Sequence, residues 1–220
     1  MSITIAPESD TGNIPSPNPE FATPASPEAL ERVAEALRGK GFDVHMAPDR
    51  QAAKRLILEL VPEGAEVGQG TSKTLEELGV TEEIETSGRY DAVRPKWRAM
   101  DRKTQAREIR KLQTAPDFWL NSANALVEDG TLVFASNTGS QLGPIAAGAG
   151  RVILAIGAQK IVPDLDTAFR RIREYSYVFE DARLMAGYGV HTGISKILIL
   201  QREVRPGRVS VVLIGEPVGE

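Results

Sequence analysis

Residues 121–160 read NSANALVEDGTLVFASNTGSQLGPIAAGAGRVILAIGAQK, and the rest of the fold is organised around them. Ala125 to Val127 is an apolar run, Glu128-Asp129-Gly130-Thr131 a tight turn, and Leu132 to Ala135 a second apolar run. Asp-Gly between two apolar runs predicts a β-hairpin. Ser136-Asn137-Thr138-Gly139-Ser140 follows, five small residues whose backbone N–H groups a ligand can approach closely. Gln141 to Ala147 predicts a short helix, stopped by Gly148-Ala149-Gly150. Arg151 to Ile156 is continuously apolar after its first residue, the pattern of a strand buried on both faces of a parallel sheet. Lys160 arrives just past the C-terminal end of that strand, the edge at which open α/β sheets bind ligands.

Upstream, the same alternation of strand and helix continues. Ser26-Pro27-Glu28 is a helix start, and Leu30, Val33, Ala34 and Leu37 recur at helical spacing until Gly39 and Gly41. Phe42 to Met46 reads as a strand, and Asp49 caps a second helix. Ala65 to Val67 is a short strand running into Gly68-Gln69-Gly70-Thr71-Ser72-Lys73-Thr74. A small-residue turn between strand and helix presents free N–H groups to an anion, and Lys73 adds a formal charge. The plainer reading of that turn is a capped helix with a solvated lysine. It has neither P-loop nor dinucleotide-fingerprint spacing. Tyr90 to Val93 reads as a strand. Asp101 to Thr114 is a basic helix whose charges suit a solvated face, or a partner-docking surface anchored by Trp97.

Downstream, Pro163-Asp164 starts a helix, Tyr175 to Ile194 reads as irregular, and Lys196 to Leu200 and Arg208 to Ile214 are strands. The whole implies a layered α/β domain around one mostly parallel sheet with helices on both faces. Residues 27–220 form that single domain. Residues 1–26, rich in Pro, Ser, Thr and Asn, read as a disordered tail.

Composition narrows the function. The 220 residues carry a net charge of -4 and no cysteine. Without cysteine this chain makes no disulfide and offers no thiolate to zinc or an iron–sulfur cluster. Its two histidines, His45 and His191, form no metal motif. Mild acidity argues against nucleic acid as a partner. No apolar run approaches the ~20 residues of a membrane span, and the N-terminus lacks a signal-peptide pattern, so the cytoplasm is the expected location.

SANALVEDGTLV, NTGS, GRVILAIGAQKIVPDLDTAFRRIR and VVLIGEPVG, in that order, resemble the LUD-domain family of lactate-utilisation proteins. The resemblance implies a fold related to ribose-5-phosphate isomerase, glucosamine-phosphate deaminase and the CoA transferases. It also implies a place in L-lactate oxidation beside iron–sulfur partner proteins. Any cluster must then belong to those partners, and no cofactor is expected in this chain. Self-association into a homo-oligomer is compatible with the sequence.

Set against the sugar-phosphate isomerases, Gly68 to Thr74 looks like their phosphate loop, and Lys160 matches their lysine after the next strand. Asn121-Ser122-Ala123-Asn124 and Asn137-Thr138-Gly139-Ser140 fall where those enzymes carry acids and a glycine run. An asparagine amide does not exchange protons near neutral pH, so isomerase chemistry by that route is not expected. The expected ligand is a small carboxylate or phosphate, held by Gly70, Thr71, Ser72, Lys73, Asn121, Asn124, Asn137, Thr138, Gly139, Ser140 and Lys160.

Glu128 and His191 are the catalytic candidates. Glu128 stands in for the glutamate nucleophile of the CoA transferases, against the plainer reading of a solvent-facing turn residue. His191 sits in a glycine-rich loop with no partner visible in the sequence. Two functions follow: an accessory, ligand-binding subunit of a lactate-oxidising system, or a stand-alone enzyme of the isomerase or CoA-transferase type. The missing acids favour the first.

Overall fold

The structure, a computed structural model, describes residues 16–220. In chain order its regular elements begin with α1 (Pro27–Gly39), β1 (Asp43–Ala47), α2 (Arg50–Glu59), β2 (Glu66–Gln69), α3 (Lys73–Glu77) and α4 (Val80–Thr86). Then come β3 (Asp91–Ala92), α5 (Val93–Arg98), α6 (Ala106–Thr114), β4 (Phe118–Asn121), β5 (Ala125–Val127), β6 (Leu132–Ser136) and β7 (Arg151–Gly157). The chain closes with β8 (Ile161–Val162), α7 (Leu165–Arg171), α8 (Tyr177–Tyr188), β9 (Lys196–Leu200) and β10 (Val209–Ile214).

Two sheets form, where the sequence implies one. The larger has six parallel strands in the order β1-β10-β7-β4-β2-β3. The smaller has the order β8-β5-β6-β9, with β6 antiparallel to both β5 and β9. β9 and β10 follow one another in sequence yet belong to different sheets. The period-2 alternation of β-strands explains the layering. Val152, Leu154 and Ile156 of β7 join α1 and the inner face of the small sheet (Leu126, Leu132, Phe134) in one core. Ile153 and Ala155 face the other way, onto α2, α3 and α4. The small sheet's outer face (Ala125, Val127, Val133) is closed by Ala168 of α7 and by Ile172 and Tyr175. Helices cover the free face of the large sheet, while on the small sheet's outer face the edge strand β9 leaves Ile197 and Ile199 exposed. The small sheet shares the middle layer with α1.

The predicted hairpin is β5–β6. Gly130 takes a φ of 86°, and a Cβ there would come within 3.0 Å of the α1 backbone at Leu37. Only glycine meets both demands. Asp129 braces the same turn, accepting from the Thr131 N–H at 2.8 Å and pairing with Lys40 at 2.9 Å.

Three other expectations are corrected. Tyr175 to Ile194 is helical as far as Tyr188: Tyr175 and Val178 lie at helical spacing on the buried side, and Gly189, at a φ of 66°, is the C-cap. The short helix expected over Gln141 to Ala147 is present but not uniform: Leu142 and Gly143 are α-helical, and Pro144–Gly148 is a π-turn. The basic helix begins at Ala106, not Asp101.

Within the expected tail, Asn18 to Ser26 is built onto the domain. Phe21 is 4% exposed and meets the Tyr175 ring edge-on at 6.5 Å, and the Ala25 N–H donates to Ala158 O at 3.1 Å. Average composition hides the one large apolar side chain that offsets the ordering entropy there. The first 15 residues of that tail lie outside the described residues.

Candidate functional site

All six strands of the large sheet run the same way, so β2, β4 and β7 end on one edge. The segments leaving those ends are Gly70 to Lys73, Ser122 to Asn124 and Ala158 to Lys160. Together with Asn137, Thr138 and Ser140 after β6 they enclose a cleft of about 600 Å³. α5 forms a second wall with Arg94, Trp97 and Arg98, and α8 a third with Glu180 and Arg183.

Lys160 lies at the bottom, 4% exposed. Its ammonium donates to Thr74 Oγ1 at 3.0 Å, Ser122 Oγ at 3.1 Å and Ala123 O at 3.3 Å. These three bonds use all three donors of the group. Burial, with repulsion from the Arg171 guanidinium, still pulls the amine down to about 7. Lys160 therefore gives up its proton far more readily than an exposed lysine, which is fully charged near neutrality.

Arg171 supports this floor from behind. It is fully buried, donating from Nε to Gln159 O at 3.3 Å and from Nη1 to Asn124 O and to Ser176 Oγ at 3.0 Å. Burial pushes its guanidinium down to about 10, so it stays charged at neutral pH. Two buried cations therefore flank the 123–124 backbone, which favours an anion in the cleft.

Asn121 supplies a directed donor. Its Oδ1 accepts the Ser122 N–H at 2.9 Å, which fixes the amide so that Nδ2 is turned the other way. Nδ2 is buried and has no hydrogen-bond partner among the described residues. An unpaired buried donor costs about 1–3 kcal/mol, so a ligand acceptor at this point regains that energy. Gly70 keeps the space open, since a Cβ there would stand 3.3 Å from Nδ2.

Arg94 is 6% exposed and paired with Glu85, which also accepts from Gln69 Nε2 at 3.0 Å. Residues 218–220 lie across the opposite rim. Gln159 Nε2 donates to Val218 O at 2.9 Å and Gly219 O at 3.0 Å, and its Oε1 accepts from Val218 N at 3.2 Å. Glu220 lines the cleft, its carboxyl raised by burial and by Glu180.

The expected ligand residues Gly70, Thr71, Ser72, Lys73, Asn121, Asn124, Asn137, Thr138, Ser140 and Lys160 all line this one cleft. Several have structural partners as well. Ser72 caps α3 through Leu75 N at 3.4 Å, and Asn124 Oδ1 accepts from Ala135 N at 2.8 Å. Gly139 lies behind the loop, where a Cβ would strike Lys196. α3 is only five residues long, so anion binding here rests on side chains and loop N–H groups rather than a helix dipole.

Glu128 is exposed in the β5–β6 turn and does not line the cleft. His191 is also outside it, although Thr192 and Gly193 beside it line the rim. His191 does have a partner: its Nδ1 is 2.8 Å from Asp181 Oδ2, while Asp181 Oδ1 accepts from Thr192 N at 2.7 Å. Asp181 is 2% exposed, so this loop is held by a buried carboxylate.

Sequence reasoning missed Thr74 and Ser122 as partners of Lys160, although both lie in strings already singled out. It also missed Arg171, whose spacing to Ala168, Ile172 and Tyr175 places it on the buried side of its helix. Carboxylates reach the cleft from Glu76, Glu180 and Glu220, none of them in the segments where acids were sought.

A comparison with curated proteins gives no match. Among solved structures, the fold is similar to the crystal structure of a DUF162 family protein from Deinococcus radiodurans. The TM-score is 0.53 at 10% identity, over 87% of this chain and 99% of that one. The family model described as the LUD domain matches residues 30–214, which include both sheets and every strand lining the cleft, and the chain belongs to that family.

Proposed function

We infer that this chain is the ligand-binding subunit of an L-lactate utilisation system, taking a small carboxylate or phosphate in the cleft and acting with iron–sulfur partner proteins. The lactate context comes from the family. The ligand class comes from the site. One observation carries it: the unpartnered Asn121 amide, buried in a wall of the same cleft whose floor is Lys160. A small oxyanion supplies the missing acceptor and meets positive charge from Lys160 and, behind it, Arg171.

The chain contains no cysteine, so an iron–sulfur cluster would reside in the partner. Trp97 offers that partner an anchor at the cleft mouth. Arg98 and Arg102 stand 5.8 Å and 5.9 Å from its ring centroid.

The test is capture of partners from native extract, then lactate-dependent dye reduction with and without this protein. Co-purification of iron–sulfur proteins and a rate that depends on this chain support the reading. Dye reduction indifferent to the chain overturns it.

A further inference from the structure

We propose that Lys160 forms a covalent imine with a small 2-oxo carboxylate bound in the cleft. This rests on the reading of the cleft as a small-carboxylate site and adds a chemical step to it.

Three features of the geometry support the step. Lys160 Nζ is the one lysine amine at the floor of the cleft, shielded from bulk water at 4% exposure. Two hydroxyls, Thr74 Oγ1 at 3.0 Å and Ser122 Oγ at 3.1 Å, stand where protons must move during carbonyl addition. Asn121 lines the same cleft as Lys160, and its Nδ2 has no hydrogen-bond partner among the described residues, which leaves a donor for the carboxylate.

A lysine becomes a nucleophile when desolvated and set beside a second cation. Lys160 meets both conditions through its burial and Arg171, which together bring it to about 7. A lysine that only held an anion would gain from staying charged, and a buried second cation works against that. The other cleft lysine, Lys73, is exposed and has no such surroundings.

The step balances without an oxidant or reductant. The amine lone pair forms the C–N bond, and the carbonyl π pair moves to oxygen. One N–H proton passes to that oxygen through the Thr74 or Ser122 hydroxyl, giving a carbinolamine. The second N–H proton leaves with the departing hydroxyl as water. Amine plus ketone gives imine plus water.

The experiment is borohydride trapping with the full chain and pyruvate as probe. The expected result is one adduct per chain, with the mass of the acid less one oxygen atom, mapped to the peptide containing Lys160. L-lactate, which has no ketone, should give no adduct and should compete with pyruvate. Lys160→Arg, checked for folding by circular dichroism, should give none. Peptide mapping of the unaltered chain decides the matter even if that variant does not fold. No adduct, or adducts spread over exposed lysines with Lys160 unmodified, overturns the proposal. A thermal shift with L-lactate separates the two readings. A shift without an adduct sinks the imine and leaves the carboxylate site standing, whereas no shift and no adduct sink both.

Discussion

The protonation of Lys160 should be visible in the stability of the whole fold. Its ordinary value is 10.5, and burial followed by Arg171 repulsion lowers it to about 7. Between those two values the unfolded chain holds the lysine proton and the folded chain has largely released it. Stability must therefore rise with pH across this window. The cost of burying the charge is fully present below about 7 and absent above 10.5. Integrating the single-proton linkage gives a gain of about 2 kcal/mol between about pH 7 and about pH 9. Other groups titrate too, so the clean quantity is a difference between two proteins.

Lys160→Met keeps the length and removes the proton. Thr74 and Ser122 can still bond each other at 3.3 Å, so the floor keeps part of its network. Urea unfolding of both proteins at several pH values should show stability rising in the unaltered protein relative to the variant by that amount. Parallel profiles, or an unaltered protein that loses stability relative to Lys160→Met as pH rises, would refute the picture of a desolvated amine.

Phe21→Ala should cost about 3 kcal/mol, because it empties a buried aromatic site beside Tyr175; an unchanged thermal midpoint would return the segment to the status of a loose tail. Asn121→Leu should abolish anion binding while costing about 1 kcal/mol or less in stability, since it removes the Ser122 bond but also the unpaired amide. Retained affinity in that variant would remove Asn121 from the site. Asp181→Ala should release the 191–193 loop, at a cost of about 2 kcal/mol for the lost bonds to a charged acceptor. Faster amide exchange at Thr192 is the readout, and unchanged protection there would count against the brace. Glu128→Gln should leave lactate-dependent activity intact, and incubation with acetyl-CoA should leave the protein's mass unchanged. A borohydride-reducible adduct on Glu128 would establish the transferase alternative instead.

Much of this was legible in residues 121–160. The hairpin, the buried strand and the lysine beyond it follow from turn chemistry, apolar continuity and the rule for ligand sites at parallel-sheet edges. The second sheet was not legible, because β9 carries an apolar run like that of β10, and nothing local says which strand each will pair with. Phe21 escaped notice because composition averages over a window, whereas burial is decided by one side chain and the pocket it meets. Arg171 escaped notice because a charge in a helix is usually solvated, and its partners are backbone carbonyls distant in sequence, at Asn124 and Gln159. The convergence of residues 70–73, 121–124, 137, 138, 140 and 160 was readable as a set of strand ends. The orientation of the Asn121 amide depends on a single N–H at Ser122, and sequence does not encode that directly.

Calorimetric titration of the full chain with L-lactate, pyruvate and inorganic phosphate tests the cleft most directly. At least one of these anions should bind saturably at one site per chain, and Asn121→Leu should abolish the heat while remaining folded. No saturable heat from any of the three, or undiminished binding in that variant, would contradict the assignment of this cleft as an anion site.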